Sequence, residues 1–503
     1  MENPSLVKKS LHAIKWNYIG VASMVLLQFF VVVFLARTLG PAAFGFLSIA
    51  IIVTGIGNIF VGFGIGEALI QRNKITKDDI SSAFTLLILF GFAAFCTTFI
   101  FSDSIASAFN SENYAAPIKI VSITFIFHSL SVVSRSILRR NMDFKYIQIV
   151  QLSSYFIGFF LVGVISAING LGEWSFAYAL LSQSMVASTL LYIRVRHSIV
   201  LNLHKSAYEL LEFGSKIVKT NLLNWVIENL DNVLVGKFFG STQLGLYSVT
   251  YNLVRTPINH LIVSLQSVML PLVSRIQDRD DQLVSLFYAF ISIMSILTFP
   301  VFLGVSSLSE LVLDALYGSK WTQASEILVP ISLAMPLHAI MAITGPFLWG
   351  MGRVEKELKI QLFVAIFFTI SMLAACQISL IVAAWTVFSV YAIRAVMMIY
   401  ILSTVLKIER ARVLDNIKGG VILGALVSST LAIINTFLVY LEFSPLYRLL
   451  LIILSGAITL LIYSYYLKNF IITKDLTYLL RIISNNSSDK ISQLIEKHFL
   501  ESR

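Results

Sequence analysis

The sequence predicts an all-α polytopic membrane protein with about fourteen transmembrane helices. Of its 503 residues, 57% are hydrophobic and only 13% are charged, and the mean hydropathy is +0.83. Soluble domains contain about a quarter charged residues, so water is not the main solvent of this chain. Apolar stretches of roughly 20 residues recur along almost its whole length, and each is long enough to cross a hydrocarbon core of about 30 Å.

These apolar stretches define the candidate spans. They cover residues 13–35, 44–70, 82–101, 117–137, 147–168, 172–193, 214–236, 244–266, 284–305, 326–349, 359–377, 379–403, 417–438 and 446–467. The connections are too short for a separate soluble domain, and we expect 208–211, 476–483 and 491–499 to form amphipathic helices on the membrane surface. The chain has no GxxxxGK[ST] loop, so we expect no ATP hydrolysis and no cofactor.

Basic residues are concentrated in alternate connections. The chain has 37 Lys+Arg against 27 Asp+Glu. The basic-rich connections and the span ends beside them contain Lys8, Lys9 and Lys15; Arg72, Lys74 and Lys77; Arg135, Arg139, Arg140 and Lys145; Arg194 to Lys219; Arg275 and Arg279; Arg353 to Lys359; Lys407 to Lys418; and the C-terminal tail. The positive-inside rule then places both termini in the cytoplasm. This placement explains the excess of positive charge without nucleic-acid binding.

An internal repeat relates the two halves of the chain. The segment 35–48 matches 235–248 at an offset of 200 residues, with Gly40/Gly240, Gly45/Gly245 and Ser48/Ser248 coinciding. Six spans separate the copies, so both halves insert in the same orientation, as in transporters with two similar lobes. The sequence therefore predicts six-helix lobes at 1–200 and 201–410, two extra helices within 411–467 and a cytoplasmic tail at 468–503.

Five segments carry a resemblance to a known family. They are Phe63-Gly-Ile-Gly-Glu-Ala-Leu-Ile-Gln-Arg72, Arg140-Asn-Met-Asp-Phe-Lys145, 232–247, Leu316-Tyr-Gly-Ser-Lys-Trp321 and Trp349-Gly-Met-Gly-Arg353. In this order and spacing, over about residues 8 to 410, the chain resembles the Wzx-type, WzxC-like polysaccharide and O-antigen flippases of the multidrug/oligosaccharidyl-lipid/polysaccharide exporter superfamily.

The resemblance implies a V-shaped, two-lobed bundle in the bacterial inner membrane. It implies a flippase that moves undecaprenyl-diphosphate-linked oligosaccharide repeat units to the periplasmic leaflet, by alternating access, for surface polysaccharide synthesis. Its partners would be this lipid-linked substrate, membrane lipid, a polysaccharide polymerase and the chain-length machinery. The resemblance implies no enzyme activity and no metal, with a proton or sodium ion as a candidate for coupling.

Arg255 is the first candidate substrate-binding residue. It lies about eleven residues from the outer end of its span, which is roughly 16 Å deep. Such a guanidinium should face a cavity or a partner rather than lipid. Tyr251 and Asn259 lie one turn before and after it, on the same face. The alternative is a structural ion pair with Glu228 or Asp231.

A second polar face lies on the preceding span. Asn221, Asn224, Glu228 and Asp231 follow one another at spacings of three, four and three residues. We expect Asn221 and Asn224 to contact sugar hydroxyls and Glu228 or Asp231 to take up the coupling ion. Hydrogen bonding between helices explains the same pattern equally well.

Two further cations complete the candidate site. Arg394 lies deep in the span 379–403, one turn after Tyr391, and should complement Arg255. Lys15 lies near the cytoplasmic end of the first span, where it meets an entering diphosphate or only snorkels to the interface. His128, His260 and His338 are expected to be packing histidines. Glycines at 62, 64 and 66 and prolines at 330, 336 and 346 are expected to bend their helices.

Three rival functions remain open at this stage. A cation-coupled multidrug exporter of the same superfamily would need mainly acidic groups, and two deep arginines argue against it. A membrane glycosyltransferase or ligase would be expected to carry a large outward loop, and the outward connections here are short. Flipping of a peptidoglycan lipid would use the same mechanism.

Overall fold

The structure is a computed structural model and describes residues 4–406, 408–471, 473 and 475–477. Within these ranges the regular structure is entirely helical. Thirteen of the helices described are long and apolar enough to cross a membrane. The prediction of an all-α, multi-pass membrane protein is therefore confirmed. The chain forms two compact units that divide between Ser248 and Val249.

The first unit contains ten complete helices in the described range and the first part of an eleventh. They are α1 (Pro4–Leu39), α2 (Pro41–Gly62), α3 (Ile65–Gln71), α4 (Lys77–Ile100), α5 (Ser102–Ala108), α6 (Ala115–Ser122), α7 (Thr124–Arg140), α8 (Phe144–Tyr155), α9 (Val164–Ile168), α10 (Trp174–Val195) and α11 (Ser206–Arg275). A 3₁₀ turn at Glu112–Tyr114 precedes α6, and a π-helix at Phe156–Gly163 joins α8 to α9.

The helix α11 holds two predicted spans, 214–236 and 244–266. It is 70 residues long, and the non-helical Gly240 (φ 79°, ψ 179°) interrupts it. At 1.5 Å per residue such a helix would measure about 105 Å, more than three hydrocarbon thicknesses. The sequence predicts fourteen spans, whereas the described residues form thirteen sufficiently long apolar helices, because α11 is counted once. The number of fourteen membrane crossings therefore remains a prediction. The first turns of α11 also include 208–211. The sequence predicts that this segment lies on the membrane surface, but Leu210 is fully buried in an apolar cluster.

The predicted second span, 44–70, is two helices. α2 ends at Gly62, and Phe63 (φ 42°) and Gly64 (φ 64°) both adopt left-handed conformations before α3 begins. A Cβ at Gly64 would meet Gly214 and Ile217 of α11, so the backbones approach closely here. The bend expected from the glycines is therefore present, and it divides the span completely.

The two copies of the internal repeat pack against each other. Gly40 (φ 85°, ψ 179°) precedes α2 in the same conformation that Gly240 adopts within α11. A Cβ at Gly45 would overlap the carbonyl oxygen of Ser241, and a Cβ at Gly245 would overlap that of Pro41. The hydroxyl groups of Ser48 and Ser248 are hydrogen-bonded at 2.6 Å. The contacts are reciprocal, so the repeat is a helix crossing built from small residues.

The connection between α10 and α11 is fastened to the start of α4. The backbone N–H of Asn202 donates to Thr85 Oγ1 at 2.9 Å, and that of His204 donates to Ser82 Oγ at 3.0 Å. His197 is buried between aromatic rings, and this burial lowers the pKa of its imidazole. The connection is therefore packed into the first unit.

The second unit contains the rest of α11 and eight further helices in the described range. They are α12 (Asp280–Ser307), α13 (Ser309–Tyr317), α14 (Ser325–Gly350), α15 (Val354–Ala375), α16 (Leu380–Leu406), α17 (Arg410–Tyr440), α18 (Pro445–Tyr466) and α19 (Lys468–Ile471), with a 3₁₀ helix at Ser319–Ala324 before α14. α14 is one continuous helix despite its three prolines.

The two extra C-terminal helices, α17 and α18, pack on the outside of this unit. Gly420 and Gly424 of α17 lie against the backbone of α12 at Ser295 and Phe299. Small residues permit this approach, as is common between membrane helices. α18 instead presents large apolar side chains outward, among them Leu461 at 70% exposure, which suits contact with lipid. The division into lobes at 200 and 410 stays a prediction, as does the segment 491–499, which lies outside the described residues.

Candidate substrate-binding site

Tyr251, Arg255 and Asn259 project from one face of α11 in the second unit. The Arg255 guanidinium lies over the Tyr251 ring, with Cζ 5.3 Å from the ring centroid. The Asn259 side-chain oxygen lies 3.2 Å from Nε2 of His338 on α14. The stripe predicted from the sequence thus faces another helix of its own unit, and Tyr251 is buried there.

Arg394 and Tyr391 bring α16 to the same place. The hydroxyl groups of Tyr251 and Tyr391 are hydrogen-bonded at 2.8 Å, across 140 residues of sequence. The His338 ring lies 5.1 Å from that of Tyr391, and both Arg255 and Arg394 act on His338 electrostatically. Three helices therefore place two arginines around one histidine within membrane-spanning segments, and we call these six residues the arginine cluster.

Glu357 supplies a carboxylate at the edge of this cluster, and sequence analysis missed it. Its oxygens accept hydrogen bonds from Trp349 Nε1 and from Gln361 Nε2, the latter at 3.1 Å. It also acts electrostatically on Arg394. The predicted span began at residue 359, whereas α15 begins at Val354, so Glu357 is a buried helix residue. The pair Glu355 and Glu357 at a helix start was the available signal.

The arginine cluster has the composition of an anion site. The cluster contains two guanidinium groups, and the Glu357 carboxylate that acts on Arg394 already accepts two hydrogen bonds. Among the described residues, Nε of Arg394 is buried without a hydrogen-bond partner. A buried donor in this state costs about 1–3 kcal/mol, which an acceptor on a ligand would recover. Tyrosine hydroxyls and an imidazole beside the arginines add donors for phosphate or sugar oxygens.

The polar face of the first half of α11 lies in the first unit, and its residues differ in how deeply they are buried. Asn221, Asn224 and Glu228 are exposed. Asp231 is buried, and one of its carboxylate oxygens accepts a hydrogen bond from the Tyr247 hydroxyl at 3.0 Å. Its other oxygen accepts from Asn232. Asp231 therefore has structural hydrogen bonds, and its role in ion coupling stays a prediction. The Lys15 side chain lies outside the described residues.

The long apolar helices and the charged cluster between them define a multi-pass helical membrane protein. The polysaccharide biosynthesis protein family matches residues 34–326 of the 503, and the chain belongs to this family. The resemblance to polysaccharide exporters drawn from the sequence is thereby confirmed.

Individual relatives and a solved structure agree with this assignment. The lipopolysaccharide biosynthesis protein WzxC of Escherichia coli (strain K12) is 25% identical over 366 residues, covering 71% of this chain and 73% of that protein. The succinoglycan biosynthesis transport protein ExoT of Rhizobium meliloti (strain 1021) is 22% identical, covering 67% of this chain and 68% of its own length. The structure of the lipid II flippase MurJ in an inward closed conformation matches with a TM-score of 0.70 at 16% identity, covering 91% of this chain and 100% of that one, which shows a shared fold.

Proposed function

We propose that this protein is a flippase that moves undecaprenyl-diphosphate-linked oligosaccharide repeat units from the cytoplasmic to the periplasmic leaflet of the bacterial inner membrane. The observation that carries the proposal is the arginine cluster, which places Arg255 and Arg394 together inside membrane-spanning segments of a polysaccharide biosynthesis protein. The names of its relatives, a lipopolysaccharide biosynthesis protein and a polysaccharide transport protein, support the same substrate class.

The arginines suit a diphosphate because of their charge and shape. Arginine at the middle of a membrane helix costs about 2.5–3.5 kcal/mol on insertion scales, so two of them need a function that offsets this cost. A guanidinium stays charged and contacts two phosphate oxygens at once, whereas lysine acts as a point charge. The lipid tail need not enter the site, because each methylene gains about 0.8 kcal/mol by remaining out of water.

Other polar groups are proposed to contact the sugars, receive the diphosphate and couple transport to an ion. Asn221 and Asn224 are proposed to contact sugar hydroxyls, and Lys15 is proposed to meet the diphosphate near the cytoplasmic leaflet. Glu228 and Asp231 are the candidates for a coupling proton or sodium ion. The two units are proposed to act by alternating access, with both termini in the cytoplasm and no bond made or broken in the substrate. A polysaccharide polymerase and chain-length machinery would use the product in the periplasm.

Replacing Arg255 by Lys, Gln and Ala tests the proposal. In a strain that depends on this protein, we expect Gln and Ala to abolish surface polysaccharide while lipid-linked repeat units accumulate on the inner leaflet. Lys should retain part of the export, since it keeps the charge and loses the two-point contact. Arg275→Gln is a matched control, because Arg275 lies exposed in the last turn of the same helix.

The amount of each variant in the membrane must be measured alongside export, because only a well-expressed variant tests the role of its side chain. Normal polysaccharide from well-expressed Arg255→Ala and Arg394→Ala variants would contradict the role of the arginine cluster. Loss of export in the Arg275→Gln control to the same degree would show that any charge change in α11 is sufficient, which also counts against it.

A further inference from the structure

The helix α7 of the first unit uses two of its faces for packing. On one face, α2 and α4 place glycines against it, Gly57 against Phe125 and Gly91 against Ser129. On another face, Leu138 packs in an apolar cluster with a residue of α10. These contacts leave a third side of α7 whose residues the packing does not explain.

His128, Arg135 and Arg139 occupy that third side. Arg135 lies two turns after His128 and one turn before Arg139, so the three share one helical face. Arg139 is exposed, while His128 and Arg135 are half-buried. Arg139 acts on Arg135 electrostatically, and Arg135 acts on His128. All three groups are basic, so the face lacks a compensating negative charge of its own.

Arg135 and Arg139 differ from three nearby arginines in having no acceptor among the described residues. Arg72 pairs with two carboxylates, Arg140 donates to four carbonyl oxygens, and Arg194 pairs with Asp143 at 3.3 Å. In the part of the chain that the structure describes, Arg135 has neither an ion pair nor a hydrogen bond. A guanidinium carries five N–H donors, so Arg135 keeps all five available to an acceptor on a ligand.

The direction of Arg135 argues against snorkelling to the near membrane surface. It lies five residues before the end of α7, about 7.5 Å along the axis from that helix end. Side chains on a helix tilt toward its N-terminus, so Arg135 extends away from Arg140 and toward the membrane interior. Its electrostatic effect on His128, two turns in that direction, agrees with this orientation.

We propose that Arg135, assisted by Arg139, binds the phosphate oxygens of a membrane lipid head group, and specifically the diphosphate of the proposed lipid-linked substrate. The inference rests on the proposed function and adds a second anion site, in the first unit, to the arginine cluster of the second. Arg135 makes the two-point contact with the diphosphate, and the exposed Arg139 attracts it from the membrane surface. An ordinary anionic phospholipid offers similar oxygens but fewer charges.

Lipid binding by the purified full-length protein tests this inference. Native mass spectrometry would compare undecaprenyl diphosphate, undecaprenyl phosphate and phosphatidylglycerol as probes. We expect Arg135→Gln to weaken undecaprenyl diphosphate binding about tenfold, Arg135→Lys to weaken it less, and Arg139→Gln to weaken it least. Arg194→Gln is the matched control and should change nothing, because Arg194 already has its carboxylate partner.

A cross-linking measurement does not depend on any variant folding. An undecaprenyl diphosphate probe with a photoreactive group beside the phosphates should label the peptide 128–139 in the wild-type protein. Labelling elsewhere only, or equal affinity for undecaprenyl diphosphate and phosphatidylglycerol at this site, would overturn the inference. Retained binding in Arg135→Gln, together with lost binding in Arg255→Gln, would refute it while the proposed function stands. A wild-type protein that binds none of the probes would remove both.

Discussion

Gly45→Ala and Gly245→Ala should destabilise the protein through the crossing of the repeat copies. Each new Cβ would overlap a carbonyl oxygen of the facing copy, that of Ser241 for Gly45 and that of Pro41 for Gly245. Overpacking of this kind costs about 1–3 kcal/mol. The backbones cannot separate without lengthening the 2.6 Å hydrogen bond between Ser48 and Ser248, which adds about 0.6–1.7 kcal/mol for a membrane hydrogen bond.

The better helix propensity of alanine offsets up to about 1 kcal/mol of this loss. We therefore expect each single substitution to lower the free energy of unfolding by about 1–5 kcal/mol. The double variant should lose less than the sum of the two, because one displaced crossing relieves both overlaps.

Unfolding of the purified protein in mixed micelles, followed by circular dichroism, measures these differences. Gly62→Ala is the matched control, since Gly62 is also in α2 and nothing lies within 4 Å of its added Cβ. It should leave the stability unchanged or slightly higher. If Gly45→Ala proves as stable as Gly62→Ala, or if the two substitutions are strictly additive, the reciprocal contact does not hold the helices together.

Two further outcomes are expected. Arg412→Ala should lower stability by about 1–3 kcal/mol. It removes the two-point contact with Asp475 (2.5 and 3.2 Å) and leaves a carboxylate that is only 4% exposed. The loss should shrink in an Asp475→Asn background, and equal losses in both backgrounds would contradict a direct pair. Cysteines placed at Gly172 and Glu442, in a variant without native cysteines, should react with impermeant reagents from the periplasm, and one at Arg353 only from the cytoplasm; the reverse pattern would refute the proposed topology.

The sequence alone was sufficient for the class of the protein and most of its helices. The length and hydropathy of a span are properties of one contiguous segment, because every backbone group in lipid must be satisfied within its own helix. The repeat was equally visible, since Gly240 repeats Gly40 at a fixed distance. Boundaries were harder: the division at Phe63 and the early start of α15 depend on contacts with other helices.

In the arginine cluster, the sequence predicts which residues share a helix face but not which helices come together. The stripe of Tyr251, Arg255 and Asn259 follows from helical spacing, and the depth of Arg394 follows from its place in a span. The hydrogen bond between Tyr251 and Tyr391, and the electrostatic effect of both arginines on His338, connect helices far apart in sequence. Glu357 was assigned to a connection because its burial arises only when α14 supplies Trp349.

The amino-acid sequence by itself thus determined the membrane class, the alternation of basic connections, the family and the candidate arginines. The tertiary structure decided which of these side chains meet and which, like Asp231, are held by hydrogen bonds to residues of their own unit. The physical reason is that all the spans are made of similar apolar residues. Hydropathy therefore says that a segment enters the membrane, while the shapes of particular side chains and glycines determine its neighbours there.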